Sequence, residues 1–222
     1  SINWARIIAQ AIYYFYTYFK LGKETISFSV PTGNFGDVFA GYLAKKMGLP
    51  IDKLIIATNS NDILKRVIES GIYKPLKVQH TVSPSMDIQV ASNFERLIFD
   101  ASLHNSDEVL KLMDNLAKYG EFELKKNILA KIKKSFFSES LTEKETKNII
   151  KETYKNYKVL IDPHTAVAIG AANKFKCKNK IVVLSTAHPA KFSDVVLSET
   201  KIKPKLPENL KTILVKKEKF EK

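Results

Sequence analysis

The chain has 222 residues, of which 45% are hydrophobic and 10% aromatic, a composition that supports a buried core rather than general disorder. Its formal net charge is +13, but only three of its 36 basic residues are arginine, the residue that nucleic-acid readers use for bidentate contacts. We therefore expect no nucleic-acid partner. No apolar run is long enough for a membrane span, and the single cysteine, Cys177, excludes an internal disulfide and favours a reducing, cytoplasmic setting.

Residues 2–20 carry apolar side chains at near-helical spacing and on most sides, which predicts a core helix. The chain starts inside this helix, without Met and without the features of a signal peptide. We therefore expect that the natural protein extends upstream of Ser1.

A strand, a loop and a helix follow. The apolar run 26–30 predicts a buried strand and 37–47 a helix, and the loop between them contains Gly33 and Gly36. A glycine-bearing turn of this kind aims free backbone N–H groups and the positive end of the helix dipole at one point, which is the arrangement of an anion site. The loop matches neither GxGxxG nor GxxxxGK[ST], so a tight turn without a ligand is an equally good interpretation of the loop alone.

A second apolar strand is predicted at 54–58, followed by a helix that Asn61 or Asp62 caps. Strands and helices alternate here, and the strands are continuously apolar. This pattern predicts a parallel sheet covered by helices on both faces. A further helix is expected from about 87 to 102.

The block 105–157 is rich in Lys and Glu and has helical patterning with capping-box spacing in two places. We predict a helical insertion or subdomain here, between an α/β part at 1–104 that holds the anion loop and the remainder of the α/β domain at 158–200. The last residues, 201–222, predict an extended carboxy-terminal tail with a short strand at 212–215.

Asp162 and Pro163 are residue types preferred at a helix start, and 181–184 predicts a third buried strand with Thr186 just beyond its carboxyl end. Ligands of open α/β sheets bind beyond the carboxyl ends of the strands, so this turn and the 31–37 loop are expected to share one cleft. A hydroxyl there can donate to an aromatic ring nitrogen. For Thr186 alone, a threonine that completes its own turn is the better interpretation.

No other pattern of reactive residues stands out. The four histidines are too dispersed for a sequence-local metal site, and neither HExxH nor GxSxG occurs, so we expect no metal and no serine nucleophile. His188, in the turn after a buried strand, is the histidine of most interest. Asp87 and Arg96 are candidates for a ligand contact, although a helix cap and a surface pair is the favoured interpretation.

Six segments, which follow one another from the first residue to Phe192, resemble the threonine synthases, above all the longer microbial and fungal branch with a helical insertion. Their number and order make the resemblance specific. The segments are SINWAR (1–6), PTGNFGD (31–37), TNSND (58–62), SPSMDIQVASNFERL (83–97), DPHTA (162–166) and STAHPAKF (185–192).

The resemblance implies the tryptophan-synthase-β-like fold, pyridoxal 5'-phosphate as cofactor, and conversion of O-phospho-L-homoserine and water to L-threonine and phosphate by β,γ-replacement. It implies that backbone N–H groups of the loop hold the cofactor phosphate and that a strand-end hydroxyl bonds the pyridine nitrogen. Arg6 and Asp87 are candidates for contacting the substrate. The residues assigned to the cofactor are Gly33, Asn34, Phe35, Gly36, Asp37 and Thr186.

In this family the Schiff-base lysine precedes the segment that matches Ser1, and no lysine of this chain stands in the matching motif. The resemblance therefore implies a carboxy-terminal portion that contains no catalytic residue of its own, is inactive alone, and has the missing amino-terminal domain of the same protein as its partner. Two alternatives stay open. One is another lyase of this fold, of the threonine dehydratase or cysteine synthase type, and the other is a non-catalytic binding fragment or paralogue.

Overall fold

The computed structural model describes residues 3–22, 24–210, 212 and 216–218. The helices in this part of the chain are α1 (Trp4–Lys20), α2 (Gly36–Lys46), α3 (Ile63–Ser70), α4 (Phe94–Ala101), α5 (Ser106–Tyr119), α6 (Lys126–Ser135), α7 (Glu143–Tyr157), α8 (Pro163–Lys174) and α9 (Ser193–Thr200). The strands are β1 (Ile26–Pro31), β2 (Ile51–Thr58), β3 (Ile72–Tyr73), β4 (Phe122–Glu123), β5 (Phe136–Ser140) and β6 (Lys180–Val183). The strand expected at 212–215 lies, except for residue 212, outside the described residues.

The main sheet has the strand order β5-β2-β1-β6, and all neighbouring strands are parallel. Every residue of β1, which lies between β2 and β6, is buried. Alternate side chains of β2 reach two separate apolar clusters: Leu54 and Ile56 join the large core around α1 to α6, and Ile55 and Ala57 pack against α8. Helices thus cover both faces of the sheet, as the continuously apolar strands predict.

Helix α1 is a core helix on one face only. Its amino terminus is capped by Asn3, whose side chain accepts a hydrogen bond from the Ala5 N–H at 2.8 Å. Ile7, Ala11 and Tyr14, spaced by four and three residues, are buried on one side of the helix. Several apolar residues on other sides of α1 are exposed, so the prediction of a core helix over 2–20 holds for one face of the helix.

Helix α4 begins at Phe94, seven residues after the start near 87 that the sequence predicted. The segment 87–93 bonds to distant parts of the chain instead of forming a helix. The Asn93 N–H, for example, donates to the Asn34 carbonyl at 3.0 Å. Bonds over such sequence distances leave no short-range pattern in the sequence.

The sequence predicted that the block 105–157 is helical, but the block also contains strand structure. Between α6 and α7 it contributes β5, whose residues pair in parallel with β2, from Phe136 opposite Leu54 to Ser140 opposite Thr58. The strand is five residues long and follows α6 directly, so the surrounding Lys-rich helical pattern hides it. Both capping sites predicted in this block are present, including a full capping box between Thr142 and the first turn of α7.

Candidate functional site

A cavity of about 630 Å³ lies beyond the carboxyl ends of β1 and β6. It is within the usual size range of small-molecule sites and occupies the edge of the sheet where ligands of open α/β folds bind. The predicted anion loop and the predicted strand-end turn therefore share one cleft, as expected. The sequence-predicted residues that line the cavity are Arg6, Gly33, Asn34, Phe35, Gly36, Asp37 and Thr186.

The loop between β1 and α2 is shaped by close approach of two backbones. A β-carbon at Gly33 would lie 2.5 Å from the carbonyl oxygen of Ser85, so only glycine fits there. Phe35, just before α2, has the left-handed conformation with φ 71°, which a non-glycine residue adopts only under constraint. Its fully buried ring, packed edge-on against Phe94 at 5.3 Å, supplies that constraint.

Several backbone N–H groups of this loop are free. The Gly36 N–H donates to the side-chain oxygen of Asn34 at 3.0 Å. Within the described residues no acceptor binds the N–H groups of Gly33, Asn34 or Phe35. Free N–H groups at the positive end of a helix form the arrangement that binds phosphate.

Asp37 places a carboxylate beside this arrangement, in the first turn of α2. The Tyr14 hydroxyl donates to the Asp37 carbonyl at 2.8 Å and lies 3.3 Å from its carboxylate oxygen Oδ1. Burial raises the pKa of Asp37 to about 6, although the hydrogen bond from Tyr14 acts in the opposite direction. Burial and the neighbouring Asp37 also raise the pKa of Tyr14, so the hydroxyl stays protonated as a donor.

Thr186 is positioned by the pairing of β6 with β1. Ser29 lies opposite Val183, and the Leu184 N–H extends the ladder by donating to the Ser29 carbonyl at 3.0 Å. Within the described residues the Thr186 hydroxyl has no hydrogen-bond partner. The interpretation that it completes its own turn therefore has no support, and the hydroxyl is available to a ligand.

A buried carboxylate and imidazole fix a second part of the cavity wall. Asp162 is fully buried, caps α8 by accepting the His164 N–H at 2.9 Å, and binds the same residue's Nδ1 at 2.9 Å. The opposite ring nitrogen, Nε2, accepts the Ser85 N–H at 3.3 Å, which places the imidazole proton on Nδ1. Burial by itself would raise the pKa of Asp162, but hydrogen bonds from His164 and Thr165 outweigh it and hold the pKa below its ordinary value.

Other candidate residues lie elsewhere. Asp87 does not line the cavity. Its carboxylate instead accepts hydrogen bonds from the Asn59 side chain at 2.7 Å and from the Thr81 N–H at 2.8 Å. The guanidinium of Arg96 stacks on the ring of Trp4 at 4.6 Å. His188 accepts a backbone N–H through its own Nδ1 and does not line the cavity.

The sequence predicted no role for several other residues of the cavity wall, among them Gln10, Tyr13, His164 and Lys191. Gln10 and Tyr13 follow Arg6 at helical spacing, so a polar face of α1 was a usable signal. The role of His164 depends on Ser85, 79 residues away in the chain, and no local pattern could reveal it.

The sequence also led us to expect no metal site and no membrane span. Among the described residues no group of three His, Cys, Asp or Glu side chains is placed to hold a metal ion. In the same part of the chain, no helix combines the length and apolarity that a membrane crossing needs.

Taken together, the parallel sheet, the free N–H loop and the strand-end hydroxyl are the features of an α/β protein that binds an anionic small molecule at the carboxyl edge of its sheet. Residues 165–222 match the family model described as "Threonine synthase, C-terminal". Threonine synthase of Pseudomonas aeruginosa is 45% identical over 202 residues, and that of Saccharomyces cerevisiae 44% identical over 252 residues.

A crystal structure of pyridoxal-phosphate-bound threonine synthase from Brucella melitensis superposes with a TM-score of 0.96 at 47% identity, over 99% of this chain and 48% of that one. The chain is thus similar to threonine synthases over 88% to 99% of its own length. It spans less than half the length of the curated relatives, 43% of the Pseudomonas protein and 49% of the yeast protein, which match 88% and 99% of this chain. A serine racemase from maize shares only the fold, with 12% identity and a TM-score of 0.54.

Proposed function

We propose that this chain forms the cofactor-phosphate side of a threonine synthase, an enzyme that converts O-phospho-L-homoserine and water to L-threonine and phosphate by β,γ-replacement. The observation that carries the proposal is that free N–H groups at Gly33–Phe35 and the free hydroxyl of Thr186 line one cavity in a chain that is similar to threonine synthases. The cofactor is pyridoxal 5'-phosphate, which the Brucella relative binds.

The residues present fit this cofactor. The loop supplies the N–H donors that a phosphate needs, in a cradle that a β-carbon at Gly33 would fill. Thr186 is an uncharged partner for the pyridine nitrogen and bonds it without forcing it to hold a proton. Asn34 shapes the loop because its side-chain oxygen accepts the Gly36 N–H. Asp37 belongs to the site as a residue of the first turn of α2 that is held by Tyr14.

When bound, pyridoxal phosphate supplies an electron-withdrawing ring that stabilises negative charge on the substrate carbons next to the amino group. The chain's own residues orient the ring. The loop holds it at the phosphate end and Thr186 holds it at the nitrogen end, while the Asp162–His164 pair fixes the Ser85 segment against Gly33.

Substrate contacts are proposed for Arg6, which lines the cavity and whose guanidinium has no acceptor among the described residues. A guanidinium binds a carboxylate or phosphate in bidentate fashion, and the substrate carries both groups. Lys191 lines the same cavity and adds a second positive charge. Asp87 lies outside the cavity, so we propose no substrate contact for it.

We propose that the lysine that binds the cofactor aldehyde comes from the amino-terminal half of the same protein, and that this chain is inactive without that half. About half of each relative's length is not represented in this chain, which leaves room for such a domain. We place the protein in the cytoplasm, because its single cysteine fits a reducing compartment.

The proposal is tested by measuring how the 222-residue chain binds pyridoxine 5'-phosphate, which has the cofactor's phosphate and ring nitrogen but no aldehyde to react with surface lysines. We expect binding at least tenfold tighter than that of unphosphorylated pyridoxine. We also expect Thr186→Val to weaken pyridoxine 5'-phosphate binding about fivefold to tenfold, the size of one hydrogen bond, and to leave inorganic phosphate binding unchanged. Equal binding of the two pyridoxine forms would exclude the cofactor assignment.

A further inference from the structure

Helix α1 presents a line of large apolar side chains to solvent. Trp4, Ile8, Ile12, Tyr16 and Phe19 follow one another at spacings of four, four, four and three residues, so they lie along one side of the helix. Their exposed fractions range from 47% to 62%. We call these five residues the α1 stripe.

The composition of α1 is that of a helix packed on two sides. Residues Ile7, Ala11 and Tyr14 already bury one face in the core, with exposed fractions of 7% or less. Between Trp4 and Lys20 the charged residues are Arg6 and Lys20 alone, although 27% of the chain is charged. A helix at the solvent-exposed surface of a globular protein normally carries charged residues on its outer face, whereas a helix that is apolar on most sides is buried.

A third face of the same helix borders the cavity through Arg6, Gln10 and Tyr13. Any body that covers the α1 stripe therefore packs on the same helix that lines the proposed active site. The part of the relatives that this chain does not match is a candidate for that body. It is larger than the matched part, because the chain covers only 43% and 49% of the two relatives' length.

We propose that the α1 stripe is the surface on which the other half of a threonine synthase docks, and that this docking brings the lysine-bearing half to the wall of the cavity formed by Arg6, Gln10 and Tyr13. The inference rests on the proposed function, since that function identifies the occupant. It adds which surface of this chain the occupant covers.

The test is co-expression of the 222-residue chain with a second, tagged polypeptide, the part of Pseudomonas aeruginosa threonine synthase that this chain does not match. We expect the two to co-purify as a 1:1 complex. The double variant Ile8→Glu/Ile12→Glu should lower the amount of co-purified chain at least tenfold. Because both positions are about 60% exposed, the variant chain alone should keep the circular dichroism spectrum of the unmodified chain.

The matched control is Met47→Glu/Tyr157→Glu, which adds the same charge at two apolar residues that are 72% and 74% exposed and lie outside α1. We expect it to co-purify like the unmodified chain. Equal loss in both variants, loss in neither, or failure of the unmodified pair to associate would each overturn the proposal. It would also be overturned by a homodimer of this chain that Ile8→Glu/Ile12→Glu dissociates, because the stripe would then bind a second copy.

The complex and the proposed function fail separately. A complex that depends on the α1 stripe but releases no phosphate from O-phospho-L-homoserine supports the docking surface and argues against the activity. Binding of pyridoxine 5'-phosphate by a chain that never associates with the other half supports the cofactor site and overturns the docking surface.

Discussion

The hydroxyl of Tyr14 on α1 donates a hydrogen bond to the backbone carbonyl of Asp37 at 2.8 Å and lies 3.3 Å from the Asp37 carboxylate. The contact joins the core face of α1 to the first turn of α2, at the point where the proposed phosphate site begins. It holds a partly buried carboxylate, with its pKa raised to about 6, beside free N–H donors that favour an anion.

Asp37→Asn is expected to stabilise the protein at neutral pH. A folded-state pKa raised above the unfolded value means that the contribution of Asp37 to stability is present below about pH 4 and is lost as the pH rises through about 6. Asparagine keeps an oxygen acceptor for Tyr14 and carries no charge. Urea unfolding at about pH 7.5 should show a gain of about 1–3 kcal/mol, which disappears at about pH 4. A gain of equal size at both pH values would show that the charge of Asp37 is not the cause.

Gly33→Ala is expected to abolish phosphate binding with a modest loss of stability. The added β-carbon would meet the Ser85 carbonyl at 2.5 Å, so the loop or the Ser85 segment must move, at a cost of about 1–3 kcal/mol. Gly120→Ala is the control. Its β-carbon would meet nothing within 4 Å, although its φ of 74° adds strain, so it should lose stability and keep phosphate affinity. Calorimetric titration with inorganic phosphate and pyridoxine 5'-phosphate measures both variants, and an unchanged affinity in Gly33→Ala would contradict the assignment of the loop.

Asp162→Asn is expected to destabilise the protein by about 2–4 kcal/mol near neutral pH, because it weakens hydrogen bonds from His164 and Thr165 at a fully buried site. The pKa of Asp162 lies below its ordinary value, so the stability it contributes is present above about pH 4 and is lost as the pH falls through the folded-state pKa. The variant should therefore show less loss of stability in acid than the unmodified chain.

The control is Asp107→Asn, at an exposed first-turn aspartate of α5, which should change stability by less than about 0.5 kcal/mol. Urea unfolding of both variants across the acid range provides the comparison, and an equal effect of the two substitutions would contradict the structural role of Asp162.

Ser138 and Ser29 are two buried serines of the main sheet that differ in hydrogen bonding. The hydroxyl of Ser138 on β5 has no hydrogen-bond partner within the described residues, whereas that of Ser29 donates to the Ala168 carbonyl at 2.7 Å. Ser138→Ala should stabilise the protein by about 1 kcal/mol, because a buried unsatisfied hydroxyl is costly, and Ser29→Ala should destabilise it by a similar amount. Thermal unfolding of both variants gives the comparison. A loss of stability in Ser138→Ala would indicate a hydrogen bond that the structure does not show.

The sequence predicts the centre of the sheet well, because buried parallel strands are continuous apolar runs. This is why the buried central strands β1 and β2 occur where apolar runs predict them. The loop after β1 and Thr186, just beyond the edge strand β6, meet in one cavity. Topology alone brings them together, since the carboxyl ends of neighbouring parallel strands lie at the same edge.

The predictions that missed β5, the irregular segment 87–93 and the contacts of Asp162 failed for one physical reason. In each case long-range contacts override the local sequence pattern. Strand β5 occurs within a Lys-rich helical context because Phe136 and its neighbours pair with β2. The segment 87–93 stays irregular because Asn93 bonds to the loop at Asn34. At Asp162 the local pattern indicates only a helix start, because Ser85, the partner of the His164 imidazole, belongs to another part of the chain.

The ladder between β1 and β6 has a consequence for selectivity. Backbone pairing from Ser29 to Leu184 places Thr186, two residues further on, at the same edge of the sheet as the loop at Gly33. We therefore expect the distance between the loop and Thr186 to select ligands by the distance between their phosphate and their ring acceptor. A molecule whose phosphate and ring acceptor are separated by the matching span engages both ends at once, and a phosphate ester of another length reaches only one of them.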